Sequence, residues 1–222
     1  MVGWDQDSRF HARVNEMLRL ATLIGRDMTP LLPDLARLCT VVFRDWPHLY
    51  EGDGRYDTEH LEALAASPRS ALIIAYDGGM PVGASTCLPL EGAMANYQAP
   101  FLARGWPLER FFYLAESVLL PAYRGQGIGE AFFTRREAHI RAVSTCDFAC
   151  FCTIQRPEDH PLRPPATTSL DAFWRRRGYV PVPGLHCTMR WKEIGQAGAS
   201  DMTMQFWSKS LTGAVLPREG AP

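Results

Sequence analysis

The sequence predicts an α/β (α+β) fold in one domain, and three observations carry that prediction. A strongly apolar run, Phe111 to Leu120, stops at Pro121 and passes through a glycine-rich turn, Arg124 to Gly129, into a helical stretch from Glu130 to about Val143. Two β-rich runs, Ala71 to Tyr76 and Pro81 to Leu88, flank Asp77-Gly78-Gly79, which is the pattern of a β-hairpin. The 222 residues are 46% apolar and 21% charged, an ordinary globular composition, and show no internal repeat and no linker. A single domain over residues 1–222 is the expectation.

Taken in order, residues 1–14 have no clear period and read as an N-terminal extension. Glu16 to Gly25 alternates loosely and reads as the first strand. Between Pro30 and Phe43, Leu31, Leu35, Leu38, Val41 and Val42 fall at helical spacing, and Pro30 or Pro33 suits a first helical turn. Asp45 to Gly54 mixes turn residues with aromatics. Asp57 to Ala66 is a second helix, ended by Ser67-Pro68. After the hairpin, Glu91 to Glu109 is longer than a usual connection and holds Tyr97, Phe101 and Trp106, so it is expected to pack as a helical insert. Phe148 to Ile154 reads as the strand after the glycine-turn helix. Arg156 to Pro165 is a rigid, proline-dense loop, and Leu170 to Gly178 a short helix that stops at its glycine. His186 to Lys192 and Met204 to Ser210 read as closing strands, and residues 212–222 as a flexible tail.

The net charge of −1 gives no electrostatic case for nucleic acid or an anionic membrane. No apolar run nears the ~20 residues of a membrane span, and no leader pattern opens the chain, so a cytoplasmic protein is expected. The six cysteines show no CxxC spacing. Cys146, Cys150 and Cys152 alternate with apolar residues, as small core residues of a strand do. Reduced, buried thiols and no metal are the expectation; His160, beside Glu158 and Asp159, has no second ligand cluster to support a metal.

Gly125, Gly127 and Gly129 release the backbone from side-chain constraints and leave its N–H groups bare. The helix that follows adds its unpaired first-turn N–H groups and the positive end of its dipole. Together they make an anion cradle suited to phosphate. Spacing separates the nucleotide-binding patterns. A P-loop needs Lys and then Ser or Thr after its last glycine, but Glu130 and Ala131 follow Gly129. A dinucleotide fingerprint needs a third glycine at the position that Glu130 holds.

Arg124-Gly125-Gln126-Gly127-Ile128-Gly129 resembles the acetyl-CoA loop of the GNAT N-acetyltransferases, and Val118 to Tyr123 is similar to that family's strand and exit turn. Phe173 to Tyr179 resembles its last helix and Gly-aromatic step. The resemblance covers roughly Leu18 to Leu211, elsewhere through element order alone. It implies a mixed, mostly antiparallel sheet of about six to seven strands flanked by helices and splayed between the fourth and fifth. It also implies acetyl-CoA as co-substrate and a small-molecule or terminal amine as acceptor, and it leaves a homodimer open. By position, Val118, Leu119 and Leu120 would hold the acetyl and pantetheine end. Arg124, Gly125, Gln126, Gly127, Ile128 and Gly129 would hold the pyrophosphate.

Acetyl transfer to an amine needs a base for the ammonium, a donor for the oxyanion and a proton for the thiolate. Glu116 is the candidate base: a carboxylate inside an apolar strand, whose pKa burial would raise. It could otherwise be an outward-facing sheet residue or an arginine's partner. The N–H near Leu119 is the candidate oxyanion donor. At the position of the family's tyrosine acid stands Trp174, which the resemblance makes a candidate cofactor-binding residue and whose indole N–H donates without usefully ionising. That leaves Tyr179 or Tyr123, or a thiolate that departs unassisted. The aromatic and acidic stretch Asp45 to Asp53 and the His160 loop are candidate acceptor walls. A non-catalytic acyl-CoA sensor and a transferase of longer acyl groups are the alternatives.

Overall fold

Among the described residues, seven strands form one sheet in the order β1-β2-β3-β4-β5-β7-β6. In this computed structural model, residues 18–52, 58–165 and 167–218 are described; the expected extension, residues 1–14, lies outside them. The strands are β1 (Leu18–Ile24), β2 (Ala71–Asp77), β3 (Met80–Pro89), β4 (Phe111–Leu119), β5 (Phe148–Ile154), β6 (Val180–Lys192) and β7 (Ala199–Ser210). The helices are α1 (Leu32–Phe43), α2 (Thr58–Ala66), α3 (Ala95–Ala103), α4 (Ile128–Val143) and α5 (Asp171–Arg176). All neighbouring strands run antiparallel except β4 and β5.

That exception opens the sheet. β4 and β5 pair only over Phe111↔Phe148, Phe112↔Ala149 and Tyr113↔Cys150. Beyond Tyr113, β4 stays paired with β3 as far as Leu119, and β5 stays paired with β7 as far as Ile154. The two inner strands therefore diverge and leave a V-shaped cleft with a backbone edge on each side. The register between β3 and β4 jumps between Ser85 and Cys87, so that Thr86 opposes both Ala115 and Glu116. An extra residue of this kind bends its strand, and the bend falls where β4 leaves β5.

Side chains alternate across the sheet and feed two cores. On one face Phe111, Tyr113 and Phe148 pack with Leu35 and Leu38 of α1 and Leu61 and Leu64 of α2. On the other, Phe112, Leu114 and Ala149 pack with Phe132, Phe133 and Ile140 of α4. The expected hairpin, helical insert, central strand and proline loop are all present. β6 begins at Val180, six residues before the expected start. Pro181, Pro183 and Gly184 read as breakers, yet β6 is an edge strand, and its register shift between Pro181 and His186 absorbs them. The expectation of a flexible tail is corrected over its first part: Ala214 and Leu216 pack against the first core. All six thiols are unpaired, five of them buried. Among the described residues no helix is long and apolar enough to cross a membrane.

Candidate active site

The bulge in β4 decides where Glu116 points. In an unbroken strand Glu116 would share the face of Phe112 and Leu114, towards α4. The extra residue reverses the alternation, so that Ala115 and Glu116 both line a cavity of about 260 Å³ on the face of α1 and α2. The bulge is held from both sides. The Glu116 N–H donates to the Thr86 hydroxyl at 3.0 Å, and that hydroxyl donates back to Glu116 Oε2. From the α4 side, the wholly buried Arg136 donates through Nη1 to the Glu116 carbonyl at 3.5 Å.

Glu116 is not alone in the cavity. His60 of α2 brings Nε2 to 2.9 Å from Glu116 Oε1, with both side chains under a tenth exposed. Burial pushes the Glu116 carboxyl up, but the His60 hydrogen bond and charge, with the Thr86 hydroxyl, outweigh it and hold the carboxyl below its usual value. The expectation of a raised pKa is thus corrected: a specific partner overrides desolvation, and Glu116 is an anion at neutral pH.

Other walls come from distant parts of the chain, among them Cys152 of β5 and Met204 of β7. Phe43 ends α1, and His48 and Tyr50 follow it in the loop. Met94 and Tyr97 come from the helical insert, and Met189 and Trp191 from β6. Arg156 ties these parts together: it donates to the carbonyls of Pro47 and His48 at 2.7 and 3.0 Å and pairs with Glu193. The Trp191 indole donates to the His48 carbonyl at 3.0 Å. The His48 imidazole, against Phe43 at 4.4 Å, has its pKa lowered to about 4 by burial and the Arg156 charge, so it is neutral.

On the cleft side the groups on offer are backbone. Leu120 N–H donates to the Val82 carbonyl at 3.0 Å. Leu119 and Gly83 are therefore a non-hydrogen-bonded pair, and the Leu119 N–H points away from β3 into the cleft. Pro121 to Tyr123 forms one 3₁₀ turn, and Tyr123 donates to Asp77 at 2.7 Å, which fixes the turn to the hairpin. Gly125 and Gly127 then take φ of 77° and 81°, with no atom within 4 Å of where a Cβ would sit. α4 starts at Ile128 with no side-chain cap on its N-terminus. Uncapped first-turn N–H groups behind an open, bare turn fit a phosphate.

No family model matches the sequence, and no curated protein matches it. Solved structures do. An acetyltransferase from Streptococcus agalactiae superposes with a TM-score of 0.52 at 14% identity, over 88% of this chain and 99% of that one. One from Thermus thermophilus gives 0.51 at 16%, over 88% and 97%. Arabidopsis thaliana Naa50, solved in complex with the bisubstrate analogue CoA-Ac-MVNAL, gives 0.50 at 19%, over 86% and 98%. The chain has the GNAT fold.

Within the GNAT fold the expected site residues separate into two groups. Glu116, Leu119 and the loop Arg124 to Gly129 meet at the opening between β4 and β5. In that loop Arg124 Nε donates to the Leu119 carbonyl at 3.2 Å, Gln126 Nε2 donates to the Ala122 carbonyl at 3.1 Å, and Gly129 lies against Phe173. Ile128 is buried in the α4 core and Val118 in the opposite one. Leu120 has its N–H engaged with β3, so Leu119 is the cleft-facing amide of the two. Trp174 packs its ring on Phe151 and Trp207 at 5.2 and 5.1 Å, on the α4 face. Tyr179 is corrected as an acid: it is completely buried on the α4 face, and its hydroxyl donates to Glu137 at 3.1 Å.

Of the two expected acceptor loops, the first supplies His48 and Tyr50 to the cavity. The second supplies no lining residue: His160 lies 5.1 Å from the Trp46 ring, and neither lines the cavity. Asp53 lies outside the described residues. Among those described, no cluster suited to a metal occurs. Sequence reading missed His60, Thr86 and Tyr97. His60 did leave a trace: it precedes Leu64 by one helical turn and so lies on the buried side of α2.

Proposed function

We propose that the protein is an acetyl-CoA-dependent N-acetyltransferase that moves the acetyl group to a primary amine by direct attack in a ternary complex. One observation carries the reading. The opening between β4 and β5 has a bare glycine turn and a free strand edge on one side and a buried carboxylate–imidazole pair on the other. The GNAT fold supports the acyl-CoA donor, as does a neighbour of that fold captured with a CoA-bearing bisubstrate analogue. The six unpaired thiols suit a reducing compartment, and the reading places the enzyme in the cytoplasm.

Bound acetyl-CoA supplies an activated acyl group. The N–H groups of Gly127, Ile128 and Gly129 are suited to hold its pyrophosphate. The cleft-facing N–H of Leu119 is the donor for oxygen charge that develops during transfer. The ammonium proton of the acceptor goes to the Glu116–His60 pair. Glu116 is held anionic and its oxygens are engaged by His60 and Thr86. The pair as a whole is the proposed proton acceptor, with the carboxylate orienting the imidazole and stabilising its charged form. Tyr179 is buried and Tyr123 is bound to Asp77, so on this reading neither protonates the sulfur, which leaves as the thiolate.

CoA-release kinetics across an amine panel, with calorimetry of CoA binding, test the reading. Saturable, amine-dependent release is the expected result. CoA binding with no release for any amine would leave an acyl-CoA-binding module.

A further inference from the structure

The walls of the acceptor cavity have one chemical character. Phe43, Tyr50, Tyr97 and Trp191 give it aromatic surface, and Met94 and Met189 give it polarisable, adaptable surface. Four of its titratable walls are uncharged at pH 7. Burial and the Arg156 charge keep His48 unprotonated. Burial raises the Tyr97 and Tyr113 phenols and the Cys152 thiol. Arg190 at the rim is already paired with Asp201 at 2.8 Å. Among the described lining residues this leaves one anion, Glu116, and His60 is bonded to it. At about 260 Å³ the cavity lies below the ~300–1,000 Å³ of sites that hold drug-sized ligands.

Each feature selects. A polyamine would bring a second ammonium against aromatic and thioether walls whose described residues offer no second carboxylate to receive it, a costly placement. A short alkylamine would leave aromatic surface uncovered. A peptide terminus would need room for several residues. We infer that the acceptor is a small monoamine bearing one aromatic ring on a short linker, its nitrogen at Glu116 and His60 and its ring among Tyr50, Tyr97 and Trp191. This rests on the acyltransferase reading above and narrows it to a substrate class.

The test compares phenethylamine, ethylamine, spermidine and a short peptide with a free N-terminus. Each is measured in two ways: kcat/KM with acetyl-CoA, and calorimetric binding to the CoA-loaded protein. Phenethylamine should exceed ethylamine by at least about tenfold in both, because a filled apolar pocket discriminates on that scale, and should also exceed spermidine and the peptide. If no amine turns over but phenethylamine still binds best, the substrate class stands and the enzymatic reading falls. If turnover occurs and ethylamine, spermidine or the peptide matches phenethylamine, the substrate class falls and the enzyme stands. Met189→Glu, which sets a carboxylate in the wall, should shift preference towards spermidine by about tenfold, whereas Met189→Leu should keep the aromatic preference. An unchanged preference in a folded Met189→Glu protein overturns the inference.

Discussion

On one side of the open cleft the protein presents backbone: the Leu119 amide, the turn of Gly125 and Gly127, and the uncapped start of α4, all within eleven consecutive residues. On the other side it presents side chains drawn from Phe43 to Met204, positioned by three helices, a loop, a bulge and neighbouring strands. On the proposed function the first wall would recognise what every CoA thioester shares, and main-chain amides suffice for that. The second would have to recognise one acceptor and move one proton, which needs particular side chains at particular distances. A wall of backbone tolerates changes in its side chains, whereas a wall built on one buried pair fails with a single residue.

The sharpest break in that comparison is at the pair. Glu116→Gln keeps the shape but removes the charge that orients and stabilises His60, and His60→Gln removes the imidazole. Each should lower kcat by about 10²–10⁴, the range for losing a positioned acid or base. Calorimetry should find CoA affinity unchanged. The acid limb of the pH–rate profile should vanish in His60→Gln. If only Glu116→Gln is inactive and His60→Gln keeps both rate and profile, the carboxylate itself takes the proton.

On the backbone wall the matching break must be made in the main chain. Gly127 sits at φ 81° with open space where a Cβ would go, and Asp tolerates that conformation better than most residues. Gly127→Asp should therefore fold, yet set a carboxylate beside the phosphate site. Like charges about 4 Å apart cost roughly 1–4 kcal/mol near a protein surface. CoA affinity should fall at least about tenfold, and the loss should shrink in high salt. An affinity that stays the same would move the pyrophosphate to another part of the cleft.

The same division explains what could be read from the sequence. The glycine turn, the strand before it and the helix after it are contiguous, and each has a local signature, so this wall was legible residue by residue. The hairpin and α1 were legible for the same reason. Glu116 was legible as a carboxylate in an apolar run, but not its state. Its partner lies fifty-six residues away on α2, and no local pattern joins the two. The bulge that turns Glu116 into the cavity was equally hidden, because it is a property of the register between β3 and β4. Tyr179 was misjudged because proximity in sequence to the last helix says nothing about which face of the sheet a side chain enters. The start of β6 was hidden by prolines that an edge strand accommodates.

Stability against pH gives a smaller contrast, again on the side-chain wall. His48 has a folded pKa of about 4 against an ordinary 6.5. Between those values the unfolded chain binds the proton and the folded protein does not, so the contribution is complete above pH 6.5 and is lost as pH falls towards 4. The loss should be roughly 1–3 kcal/mol, read as a falling Tm over that window. His48→Phe keeps the ring against Phe43 and should flatten the window. Below it, the depressed carboxyl of Glu116 adds a further loss as it protonates. A wild-type Tm that is flat from pH 6.5 to 4 would show that His48 is freely solvated and is no part of a neutral wall.

The smallest expected effect bears most directly on the idea of a backbone wall. Gln126 lies in the centre of the glycine turn, and its amide nitrogen donates to the Ala122 carbonyl at 3.1 Å. If the turn holds pyrophosphate through N–H groups, the side chain only braces the turn, through one exposed hydrogen bond. Such a bond contributes about 1 kcal/mol or less. Gln126→Ala should therefore weaken CoA binding by no more than about fivefold, with kcat unchanged and the preference among amines unchanged. The alternative is a side chain that swings out and grips phosphate directly. Gln126→Ala would then lose as much affinity as Gly127→Asp, and Gln126→Glu would lose more than either, through charge. The three variants measured together decide whether the cradle is made of main chain or of side chains.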